Sequence, residues 1–165
     1  GDIIMYPFDQ HESEFIFELD IIEDEKYLGV PIIMEFSSNL MGYVVEVYDA
    51  YEREIDDGYL DFGISVRRTP PVIFFVGLVI LMQWLLAMAA LLITASALTR
   101  RTAVDIRMSS WFAAMLFALP ALRRSVPEVP PLGVLYDYLS FFWVEGIVAL
   151  CLAVYVLMWY FRNEK

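Results

Sequence analysis

The chain has 165 residues, 59% of them hydrophobic, with a mean hydropathy of +0.58 and a formal net charge of −11, a composition too apolar for an ordinary soluble domain. Its charge is polarised: residues 1–66 hold 17 acids against Lys26 and Arg53, net −15, whereas residues 67–165 hold nine bases against five acids, net +4. Such an acidic first part excludes nucleic acid and anionic lipid surfaces as its docking partners, because phosphates require Lys and Arg.

The chain opens on Gly1 just ahead of a turn-like "YPFD" with no leader visible, and reads as the C-terminal part of a longer protein. In "EFIFELDI", Phe15, Phe17, Leu19 and Ile21 alternate with Glu14, Glu18 and Asp20, the period of a half-buried strand. "IIMEF" and "YVVEVY" predict two more strands, with "IEDEKYLG" and "SSNLMG" as turns between them. In "YLDFGISVR" the alternation returns, Leu60, Phe62, Ile64 and Val66 facing one way. Four strands make a small antiparallel sheet or half of a sandwich, a core thin enough to require completion by missing strands, a partner subunit or the membrane surface.

The turn "YEREIDDGYLD" is the most acidic stretch, and Glu54, Asp56, Asp57 and Asp61 could converge on a calcium ion. Without the alternating ligand spacing of a dedicated loop, a solvated turn is the simpler reading. His11 is the sole histidine and has no second histidine or cysteine to share a metal. Cys151 is the sole cysteine and cannot close an internal disulfide. Neither a Ser-His-Asp set nor a phosphate-cradling glycine loop is assembled, so no enzyme, metal or cofactor is expected.

Pro70 and Pro71 end the β-rich part and can open a helix, since the first helical turn does not need their missing donors. Residues 72–98 form an apolar run with Gln83 as its only strongly polar member and measure about 40 Å as a helix, enough to cross a ~30 Å hydrocarbon core. Residues 138–161 are a second such run, about 36 Å, with Trp143, Trp159 and Tyr160 as interfacial anchors. Residues 104–122 lie between them and carry Asp105 and Arg107 at their start and Pro120 near their end. They read either as a third span capped by Asp105 or as a re-entrant or interfacial helix, with the span preferred. Three spans leave Arg100, Arg101, Arg107, Arg162 and Lys165 on one side and Arg67, Arg68, Arg123 and Arg124 on the other. That slight excess puts the acidic head outside the cytoplasm.

In the first span Gln83, Ala87, Ala90, Thr94 and Ala97 recur at three- and four-residue steps, a stripe of small and polar groups that predicts a packing face. Glu145, Ala149 and Ala153 predict a second such face on the last span. A carboxylate in hydrocarbon must be paired, protonated or wet, so Glu145 is expected to face inward and bond a group such as Gln83, either as glue between helices or as a residue on an ion path.

The series "LPALR…P…PPLG…D…FFW.E", with "YPFD" ahead of an acidic β-rich segment, resembles the membrane-protein family catalogued as domain of unknown function 4436. The resemblance implies an architecture and a plasma-membrane setting, since that family has no established activity. A second resemblance is to pentameric ligand-gated ion channels: "YPFDQ", "RRTPP" and "SVPEVPPLGVLYDYL" stand in the channels' order. It implies a salt bridge between Asp9 and Arg68 that couples head to membrane, and a pore lined by the segment with Ser109 and Ser110. The chain departs from that pattern in having no cysteine pair around "PFD" and no fourth helix.

The expectation is therefore an α+β membrane protein, with an acidic β-rich extracytoplasmic head over residues 1–69 and a three-helix transmembrane region over 70–165. Its partners are the lipid bilayer and either further copies of itself or other subunits of a membrane complex, and it serves as a non-enzymatic assembly or accessory subunit. An ion channel is the alternative. Gln83 and Glu145 are its intramembrane polar residues, and Asp9, Arg67, Arg68, Arg123 and Arg124 the residues that join head to membrane.

Overall fold

The computed structural model describes residues 3–18, 20–23, 26–29, 35–49, 59–99 and 105–163. It divides into a β unit, Gly1–Ile3 with Phe8–Pro71, and a helical unit, Ile4–Pro7 with Val72–Lys165.

Among the described residues the β unit holds five strands: β1 (Gln10–Glu18), β2 (Asp20–Glu23), β3 (Lys26–Gly29), β4 (Tyr43–Asp49) and β5 (Tyr59–Arg68). Three form an antiparallel sheet in the order β1-β5-β4, and β2 pairs with β3 as a separate hairpin. The most regularly alternating strand, β5, takes the central place. The register sets Phe15 opposite Phe62 and Phe17 opposite Leu60, while Val45 and Val47 face Val66 and Ile64, so one surface of the sheet is apolar. Phe15 and Phe17 both stack on Phe62, with ring centroids 5.6 and 5.9 Å away, a cross-strand arrangement that stabilises sheets. On the other surface the Tyr48 ring lies over Gly63, where a Cβ would meet the ring and require the tyrosine to shift.

Two expectations are corrected. The "IEDEKYLG" turn contributes a strand, β3, because the short runs on either side of Asp24 and Glu25 pair with each other. Of "IIMEF", Glu35 and Phe36 lie outside any strand, and residues 32–34 fall outside those described.

The helical unit consists of α1 (Pro70–Thr99), α2 (Arg107–Arg124) and α3 (Phe142–Asn163), with α3 entered through a wide π turn at Asp137–Phe141. Pro70 and Pro71 open α1 as expected from their missing donors, and the last turn of α1 is capped by Arg162, whose Nη1 donates to Ala97 O at 3.0 Å. The segment at 104–122 starts later than predicted: Asp105 lies ahead of α2, its Oδ1 accepting the Arg107 N–H at 2.9 Å, and Pro120 sits within the helix. Among the described residues two stretches, Pro70–Thr99 and Asp137–Arg162, are long and apolar enough to cross a membrane; α2 is not one of them.

The core of this unit joins the three helices: Ala87 and Ala90 of α1, Phe112, Met115 and Leu119 of α2, and Val144, Val148, Cys151 and Tyr155 of α3. The small stripe on α1 is indeed its buried side, since Gln83, Ala87, Ala90 and Thr94 are all inside. On α3 the expectation is corrected. Val144, Val148 and Cys151 face inward while Ala149 and Ala153 are exposed. The α3 valines, not its alanines, share the core cluster with Ala87 and Ala90 of α1.

Candidate functional site

The most concentrated polar chemistry lies where the π turn meets α1 and the end of α2. Gln83 is fully buried, and both ends of its amide are used: Nε2 donates to Tyr136 Oη at 2.9 Å, and Oε1 accepts from Ser140 Oγ at 2.6 Å. The adjacent Trp84 donates from Nε1 to Leu139 O at 3.3 Å. Consecutive α1 residues thus hold the side chains and the backbone of one turn. A π turn carries Tyr136, Asp137 and Ser140 inward together and leaves carbonyls free for partners from outside.

Asp137, also fully buried, takes a bidentate pair from Arg123, Nε to Oδ1 at 2.7 Å and Nη2 to Oδ2 at 2.9 Å. Arg123 Nη2 also donates to Pro130 O and Pro131 O, both at 3.1 Å, and Gly133 N donates to Asp137 Oδ2 at 2.8 Å. Gly133 has φ +95°, a left-handed conformation that glycine adopts without strain and that turns its N–H onto the carboxylate. One ion pair therefore ties the end of α2, the proline loop and the start of the π turn. Beside this knot Tyr6 is buried among Val76, Val79, Val126 and Val134, and its hydroxyl donates to Pro127 O at 2.9 Å.

The expected partnership of Glu145 with Gln83 is corrected: the Gln83 amide bonds Tyr136 and Ser140 instead. Glu145 Oε2 is buried with no hydrogen-bond partner among the described residues. Arg123, expected beside Arg124 on a surface facing the head, is committed to Asp137 and is 7% exposed, while Arg124 is exposed.

In the β unit Arg68 and Asp9 form a second buried bidentate pair, Nε to Oδ1 at 2.7 Å and Nη2 to Oδ2 at 3.1 Å. The Arg68 guanidinium lies 5.2 Å from the centre of the Tyr43 ring. Arg67 pairs with Glu46 at the surface. Next to them Thr69 donates its N–H to Gly42 O at 3.0 Å, closing the end of the sheet. Of the acidic turn, Asp61 lies on β5, with Oδ1 buried and unpartnered among the described residues; Glu54, Asp56 and Asp57 fall outside those residues. No cluster of metal-ligating side chains occurs among the described residues.

Chemically the helical site is a closed hydrogen-bond system. Ser140 donates to an amide oxygen, a base too weak to activate it as a nucleophile. Tyr136, Asp137 and Ser140 are the residues that sequence reasoning missed. Their signal was three polar groups within five residues at the mouth of an apolar run.

Residues 68–162 match the family model described as Domain of unknown function (DUF8686), and residues 1–64 match the one described as Domain of unknown function (DUF4436). No curated protein matches the chain. The first match spans more than half of the residues, so the chain belongs to the DUF8686 family. The expected relation to domain of unknown function 4436 lies in the β unit, and the proline-rich series that had suggested it falls within the DUF8686 match.

Proposed function

We propose that this member of the DUF8686 family is a multi-span plasma-membrane protein with its β unit outside the cytoplasm, acting as a non-enzymatic assembly or accessory subunit. The observation that carries the membrane reading is an inverted distribution of polarity in the helical unit. Gln83, Asp137 and Ser140 are fully buried, while Phe74, Leu92 and Leu150 are 75%, 65% and 65% exposed. Water would impose the opposite arrangement; hydrocarbon favours apolar groups outside and paired polar groups within.

Assembly is supported by what a lone chain leaves open. The sheet is one layer thick with Phe15, Phe17 and Val47 half exposed on its apolar surface, and α2 carries Ser110, Arg107 and Arg124 on exposed positions, groups that a crossing helix has to shelter in protein or water. α2 is the third span of this reading. The test is the mass of the particle extracted from its native membrane in mild detergent. A complex larger than one chain is expected, and a monomer free of other subunits contradicts assembly.

A second reading, a ring-forming ion channel, draws on the bidentate Asp9–Arg68 pair, which is the contact that the channel resemblance implied. It predicts ion current across bilayers containing the purified chain. An electrically silent bilayer with verified insertion refutes it.

A further inference from the structure

We infer that the open edge of β1 is a docking strand for a basic, apolar, extended segment of a partner protein; the inference rests on the assembly reading and names the chemistry of one partner. Among the described residues β1 stands at the end of the order β1-β5-β4 and pairs with β5 along all nine residues, and no described strand pairs with its other side. Edges that must stay single are commonly short, bulged, or guarded by Lys or Pro; β1 has nine residues and neither of those types.

Its centre is "EFIFE". Phe15, Ile16 and Phe17 are 42%, 61% and 44% exposed, an apolar run on both surfaces of the strand. Glu14 and Glu18 flank the run and have no hydrogen-bond or ion-pair partner among the described residues. β5 sets Gly63 and Tyr59 opposite them, not a base. The other edge differs, because Glu46 on β4 is balanced by Arg67. Around Glu12 and Glu14 the field is negative enough that, after burial, these two charges push the Tyr48 phenol above its ordinary range.

A second copy does not fit this edge. Antiparallel pairing about Ile16 would set Glu14 against Glu18 and Glu12 against Asp20, and parallel pairing in register would set each glutamate against itself. Like charges directly opposite destabilise a sheet. Charge complementarity selects a strand with Lys or Arg opposite Glu14 and Glu18 and with β-branched or aromatic side chains opposite Phe15–Phe17.

The test is amide hydrogen exchange on the whole chain in detergent, with a capped nine-residue peptide alternating lysine and valine as the probe, and the same peptide with glutamate for lysine as its control. At a peptide concentration ten times its Kd, the β1 amides should exchange about tenfold more slowly. β4 should be unaffected, the effect should shrink with salt, and the glutamate peptide should give none. Glu14→Lys with Glu18→Lys should reverse the preference, and Glu14→Gln with Glu18→Gln should abolish it. Absent protection, equal protection by both peptides, equal protection of β4, or an unchanged preference in either double variant overturns the inference. A native complex that persists unchanged with the lysine double variant likewise removes β1 as the docking strand and leaves the assembly reading standing; a monomeric native particle removes that reading whatever the peptide does.

Discussion

At Arg123 and Asp137 two opposite charges form a buried bidentate pair. Removing one partner leaves an uncompensated buried charge, so Arg123→Ala should destabilise the helical unit by about 3–5 kcal/mol. Thermal unfolding in detergent, followed by tryptophan fluorescence, checks this. Arg123→Lys should recover little, since an ammonium cannot reproduce a fork that reaches two carboxylate oxygens and two proline carbonyls. Gln83→Leu strands the Tyr136 and Ser140 hydroxyls and should cost about 1–3 kcal/mol by the same assay. Glu145 predicts the opposite sign. Its buried Oε2 meets no donor among the described residues, so Glu145→Leu should raise the unfolding midpoint; a lowered one would reveal a partner for the carboxylate.

Among the elements, α3 makes the sharpest prediction because neighbouring residues sit on opposite sides. Val148→Ala opens a cavity against α1 and α2 and should destabilise by about 1–3 kcal/mol, whereas Ala149→Val adds bulk to an exposed position and should change little. Equal effects from both would mean that the face is wrongly assigned. α1 and β5 were legible in the sequence because each needs only its own periodicity: an apolar run of 27 residues, or alternation over residues 60–67. The inward side of α3 was not. A rule that small residues mark contacts applies to one helix of a pair, and which helix supplies the groove depends on the facing side chains. The β2–β3 hairpin was hidden because its charged turn dominates four-residue strands. The Arg123–Asp137 knot was hidden because a proline-rich loop of irregular path separates its members. Gln83 and Glu145 were recognisable as polar residues within apolar runs, but their surroundings were not, since depth counted along two helices ignores the reach of a tyrosine and the extra width of a π turn.

For the molecule as a whole, the account depends on which solvent surrounds the helical unit. Buried polar pairs surrounded by exposed leucine and phenylalanine make sense in hydrocarbon and would be unstable in water. The polar groups then specify how three helices fit together, and the apolar surface specifies where they reside. Alkaline carbonate treatment of membranes carrying the full chain, followed by sedimentation, measures this most directly. The account predicts that the chain stays with the lipid pellet and enters solution only with detergent. Release into the carbonate supernatant as a monodisperse, detergent-free protein would contradict it.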